Sequence, residues 1–111
     1  MQPNPILDFG IDRSSIKYLG QDLQRPECIL AERDGTLWSA DARGGVVRIG
    51  PDGDQQIITQ QRSAHFRDAG SEATRYLQGT LPNGLAFARN GDFLISNFGT
   101  DCLELMSRDG R

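Results

Sequence analysis

The sequence predicts an all-β fold, and three observations carry that expectation. Four Asx-Gly pairs, Asp34-Gly35, Asp52-Gly53, Asn90-Gly91 and Asp109-Gly110, punctuate the chain. Such pairs accept the positive φ of tight two-residue hairpin turns. Short runs of strand character lie between them: Cys28 to Glu32, Thr36 to Ala40, Val46 to Ile49 and Gln55 to Thr59, then Gly84 to Ala88, Asp92 to Ser96 and Cys102 to Met106. Short strands at this spacing, separated by turn pairs, describe an antiparallel meander. Finally, the two series of strands align with each other.

In that alignment Pro26-Glu27 matches Pro82-Asn83, Ile29 matches Leu85, and Arg33-Asp34-Gly35 matches Arg89-Asn90-Gly91. Leu37 matches Phe93 and Asp41 matches Asn97. One extra residue in the next turn brings Asp52-Gly53 onto Asp109-Gly110. The offset of about 56 residues exceeds the roughly 40–50 of one propeller blade, and the polar stretch Gln61 to Thr80 accounts for the excess. The chain therefore reads as a β-propeller fragment, about two blades of antiparallel four-stranded sheet with the ring not closed. Residues 1–24 form an N-terminal tail and closing strand, 25–60 a first blade, 61–80 a connection, and 81–111 an incomplete second blade.

Within the tail, Ile16 to Gly20 reads as a strand, while Met1 to Ser15 has no periodic pattern. Ser71 to Leu77 fits one short helical turn inside the connection. Only Arg111 follows the last turn pair, so Cys102 to Met106 is expected to be an exposed edge, open to self-association. Six such sheets would need about 270 residues, so the chain is expected to be truncated relative to a closed ring.

Composition narrows the class. The net charge is -3 with 24% charged residues, an ordinary balance without the basic excess of a nucleic-acid partner. No apolar stretch is long enough for a membrane span, and the first 21 residues lack a signal-peptide core. Cys28 and Cys102 form no metal-binding spacing and read as two buried free thiols of a cytoplasmic protein.

The segments Arg25-Pro26-Glu27 through Asp52-Gly53 and Leu81-Pro82-Asn83-Gly84 through Asp109-Gly110 resemble the gluconolactonase family. That family includes senescence marker protein and luciferin-regenerating enzyme, and its members are six-bladed propeller lactonases. The match covers about half of the chain. It implies hydrolysis of a small-molecule lactone with a divalent cation in the central channel, Ca²⁺ first, with Mg²⁺, Mn²⁺ or Zn²⁺ as alternatives. The cation would act as a Lewis acid on the lactone carbonyl. Glu27 matches the family's first metal ligand, at the entrance to the innermost strand, where a carboxylate offers a hard oxygen. The family more often has Gly after that Glu, and this chain has Cys28. Asn83, at the equivalent entrance of the second repeat, is the candidate substrate contact. Some members carry Arg two positions before the substrate-binding Asn, where this chain has Leu81. The remaining ligands and the general base would lie beyond Arg111, so no catalytic residue is assigned and the chain alone is expected to be inactive. Two alternatives stand beside this reading: a non-catalytic NHL-like propeller segment acting as a binding module, and a fragment of a gene.

Other residues read more plainly. Asp41 and Asn97 are turn-stabilising Asx residues. Trp38 and Phe93 are packing residues rather than a substrate platform. His65 is the only histidine and lies in the polar connection, with no nucleophile placed to use it. Arg43-Gly44-Gly45 reads as a turn, too short to cradle phosphate.

Overall fold

The computed structural model describes residues 2, 4–61, 70, 71, 73, 74 and 82–111. The connection expected at 61–80, with His65 and the helical turn at Ser71–Leu77, lies largely outside the described residues. Two antiparallel sheets form, and they are not closed into a barrel or ring. The first contains β1 (Ile29–Ala31), β2 (Leu37–Asp41), β3 (Gly45–Ile49) and β4 (Gln55–Thr59) in sequential order. The second contains β5 (Pro82–Phe87), β6 (Phe93–Asn97) and β7 (Cys102–Met106), also in order.

Asp34-Gly35, Asp52-Gly53 and Asn90-Gly91 each make a hairpin, and Asp109-Gly110 makes the same turn after β7, but the turn differs in kind from the expected two-residue one. Glu32 and Thr36 face each other through Glu32 N–H to Thr36 C=O at 2.8 Å, and Gly35 N–H closes on Glu32 C=O at 3.1 Å. Ala88 and Asp92 repeat the pattern at 2.8 and 2.9 Å. The loop is therefore three residues long, and only the glycine takes a positive φ, +93° at Gly35 and +88° at Gly91. This is a turn followed by one left-handed residue, which needs Gly at its last position alone. The preceding Asx serves the turn with its side chain: Asp34 Oδ1 accepts from Thr36 N–H at 2.9 Å, and Asn90 Oδ1 from Asp92 N–H at 3.2 Å.

The repeat alignment extends to irregularities. Pro82 pairs with Asn97 and Leu85 with Ile95, so Asn83 and Gly84 bulge opposite Ser96. In the first sheet Ile29 pairs with Ser39 while Ala40 N–H reaches Glu27 C=O at 3.1 Å, which puts Glu27 and Cys28 in the matching bulge. Cys28 takes φ +57° there, a conformation that favours glycine.

Two further expectations are corrected. Residues Ile16 to Gly20 form no strand: Tyr18 is 90% exposed and the segment has no ladder partner. A short 3-10 turn at Arg13–Ser15, capped by Asp12, precedes it. Cys28 and Cys102 are free as expected but exposed rather than buried. Cys28 directly precedes the edge strand β1, and its thiol reaches Leu85 C=O at 3.4 Å.

One core lies between the sheets. Trp38, Ala40 and Val46 meet Leu85, Phe93, Ile95 and Met106, with Leu30 and Ile58 packed against them. The Trp38 and Phe93 ring centres are 4.8 Å apart and tilted, as aromatic pairs prefer. Because alternate strand residues face opposite sides, Trp38 and Leu37 lie on different faces. Leu37, not Trp38, aligns with Phe93, so the two sheets contribute opposite faces to the shared core. The stacking is directional, the same sheet type placed twice in succession.

Candidate functional site

Glu27 and Asn83 sit in equivalent bulges on the first strands of the two sheets, and those strands are neighbours. β5 packs against β1 and β2, and the Cys28 thiol bonds the Leu85 carbonyl. Glu27 directly precedes one partner of that contact, and Asn83 is two residues before the other. The Glu27 side chain is 45% exposed and lies 3.5 Å from the Arg25 guanidinium. Asn83 is half-buried.

These two residues do not amount to a complete cation site. Glu27 offers a carboxylate and Asn83 an amide oxygen, whereas Ca²⁺ takes six to eight oxygen ligands. No group of three or more His, Cys, Asp or Glu that could hold a metal occurs among the described residues. Among the described residues the donor set does not fit a bound ion by itself.

A stronger polar device anchors the N-terminal segment. Asp41, buried at the end of β2, accepts from Arg43 Nε at 2.7 Å, from a second Arg43 guanidinium nitrogen at 2.8 Å and from Arg43 N–H at 3.0 Å. It also accepts from Gln24 N–H at 3.2 Å. Burial pushes this carboxyl up, but the hydrogen bonds from the Arg43 side chain and backbone and from Gln24 outweigh it, and the group stays below its ordinary range. Arg43 continues outward to the Asp22 carbonyl at 2.7 Å. The Asx turn expected at Asp41 is present, and so is the one at Asn97, whose Oδ1 accepts from Gly99 N–H at 3.0 Å. The pairing with Arg43 was not legible, because Arg43 reads as part of a turn.

Glu104 was also missed. It accepts from Gln60 Nε2 at 2.6 Å, Asn97 Nδ2 at 3.1 Å and Thr100 Oγ1 at 3.2 Å, tying the end of β4 to β6 and β7. The only sequence signal is a lone acid between Leu103 and Leu105, which normally marks a solvated position. Trp38 and Phe93 are packing residues, as expected.

A cavity of about 540 Å³ is lined by Tyr18, Gln21, Gly35, Ile49, Pro51 and Gln55 among others. It opens at the hairpin-turn end of the first sheet, whereas Glu27 lies at the opposite end beside Ala40. The cavity and the candidate ligand therefore do not coincide. No helix among the described residues is long and apolar enough to cross a membrane. Compared with protein-family models, curated proteins and solved structures, the chain finds no match.

Proposed function

We propose that the two sheets are consecutive blades of a β-propeller belonging to a metal-dependent lactone hydrolase of the gluconolactonase kind. The observation that carries this reading is the directional stacking. Opposite faces of equivalent sheets meet, which is how blades succeed one another around an axis. The adjacency of β1 and β5 supports it further, since first strands of successive blades line a common channel. On this reading Glu27 supplies one oxygen to a cation, Ca²⁺ ahead of Mg²⁺, Mn²⁺ or Zn²⁺, and Asn83 contacts the lactone. The cation would supply Lewis-acid polarisation of the carbonyl. The remaining ligands would come from other blades, and the compartment would be cytoplasmic.

The test is a Ca²⁺ titration followed by backbone NMR, beside a hydrolysis assay with a simple δ-lactone. Weak shifts confined to Glu27, Cys28 and Asn83, abolished by Glu27→Gln, are the expected result, with no turnover. Shifts elsewhere, or none at Glu27, would remove the cation from the reading. A second reading, an NHL-like blade pair that binds a partner without catalysis, is favoured by the ion pair that Glu27 makes with Arg25. A silent titration would decide for it.

A further inference from the structure

Asn90 differs from its counterparts in the other turns. Asp34, Asp52 and Asp109 stand at the same turn position, and of the four only Asn90 carries an amide. An Asn before Gly can react with its own backbone. The Gly91 nitrogen gives up its proton and attacks Asn90 Cγ, the Cγ–Nδ2 bond breaks, and ammonia leaves. Water then opens the cyclic imide at either carbonyl, giving Asp or isoaspartate. Glycine favours the attack because it has no Cβ to crowd the nitrogen.

The fold blocks each part of this step. Gly91 N–H is engaged by Ala88 C=O at 2.9 Å. The Asn90 side chain reaches past Gly91 to the next residue: Nδ2 donates to Asp92 Oδ2 at 2.7 Å, and Oδ1 accepts from Asp92 N–H at 3.2 Å. On the far side Arg108 Nε donates to Gly91 C=O, while its guanidinium reaches Glu32 of the first sheet at 3.1 Å. Asn90 itself is exposed, so geometry, not access to water, holds the amide back.

The product fits this turn badly. The Asp92 carboxylate accepts from the Asn90 amide, and conversion puts a second carboxylate where that donor was. The other turns avoid this conflict. In the first sheet the facing residue is Thr36, and Asp34 only accepts from its N–H at 2.9 Å. In the Asp52 turn the second acid, Asp54, is paired with Arg48 at 2.7 Å. Isoaspartate would also add a carbon to the main chain of a tight loop.

We propose that Asn90 is a self-modification site gated by the Arg108 clamp between the sheets. The amide persists while the sheets are stacked and converts when the clamp opens, after which the turn no longer closes as before. Water is the only co-reactant. Neither a cation nor a lactone enters, so the proposal stands apart from the function proposed above.

Incubation of the full chain in mildly alkaline buffer, followed by peptide mapping with mass spectrometry, tests it. The chain has a second Asn-Gly pair, Asn83-Gly84, at the other end of β5, which serves as the internal reference. Conversion at Asn90 follows the open population and is expected to be roughly 10-fold or more slower in the folded chain than in urea. Arg108→Ala should raise the Asn90 rate relative to Asn83 by about 5-fold. Glu32→Gln, which loosens the clamp at its far end, should move the ratio the same way, and circular dichroism checks that both variants fold. Asn90→Asp should lower the urea midpoint, and adding Asp92→Thr, which copies the first-sheet turn, should restore it. Asn90 converting as fast folded as in urea overturns the proposal. So does a ratio unmoved by the clamp variants, as global unfolding would give, or an Asn90→Asp chain as stable as the wild type.

Discussion

Glu32 and Arg108 join the two sheets through an ion pair of 3.1 Å between residues from opposite ends of the repeat series. The same guanidinium lies 4.9 Å from the ring centres of Trp38, Phe87 and Phe93, and Arg108 Nε donates to the Gly91 carbonyl. Trp38 Nε1 donates to Glu32 at 2.7 Å. One cation thus closes the turn end of the core over three aromatic faces.

Removing that cation should loosen the stack. An exposed ion pair contributes about 0–1 kcal/mol and a partly desolvated cation–π contact roughly 0.5–2 kcal/mol. Arg108→Ala is therefore expected to lose about 1–3 kcal/mol in urea denaturation. Arg108→Lys should recover only part of it, because a point charge cannot lie flat on the rings and fork to Glu32 together. Equal stability of all three proteins would mean that the contact is ornamental.

The core should depend on Phe93 above its neighbours. Its side chain is fully buried and touches both Trp38 and Phe87. Phe93→Ala is expected to cost about 3–5 kcal/mol, enough to unfold a domain of this size. Phe93→Leu should remain folded at a cost nearer 1 kcal/mol. Thermal melts of the two variants distinguish these outcomes.

Much of the fold was legible because the hairpin signal is local. Each Asx-Gly pair fixes a turn by its own chemistry, and the two series then set the strands within a residue or two. Ile16 to Gly20 failed because apolar content alone does not supply a ladder partner. The cysteines were misjudged because a strand edge exposes residues that average tendencies place inside. At the candidate site, Glu27 and Asn83 were found at matching bulges because the repeat puts them there. Glu104 and the Asp41–Arg43 pair were hidden, since their partners are set by how the sheets stack.

Acid should weaken the fold through two carboxyls. Arg108 and then Trp38 hold Glu32 below its ordinary value of 4.5. At Asp41 burial acts upward, but Arg43 and the Gln24 backbone hold the group below 3.8. Both groups therefore bind protons less readily folded than unfolded. Their stabilisation is fully present above the ordinary values and is lost as the pH falls through the lowered ones. Urea midpoints should be flat near neutrality and fall from about pH 5 downward, with a shallower fall in Asp41→Asn. A midpoint that rises on acidification would contradict this assignment.

The bulge at Cys28 predicts an unusual substitution pattern. Its φ of +57° costs an L-residue about 1–2 kcal/mol, partly balanced by the entropy that glycine loses on folding. Cys28→Gly should therefore lie within about 1 kcal/mol of the wild type. Cys28→Val, β-branched in a left-handed position, should lose roughly 1–2 kcal/mol more. Chemical denaturation of the pair reads the difference directly, and a Val variant as stable as the Gly variant would show that the bulge is not left-handed.

Trp38 is the only tryptophan, and its indole protons report which face of the second sheet lies over the first. Nuclear Overhauser contacts from this ring in the folded chain are predicted to reach Phe93 and the Met106 methyl. Contacts to Leu103 and Leu105 in a monomeric sample, with none to Phe93, would mean that the sheets meet through equivalent faces and are not successive blades.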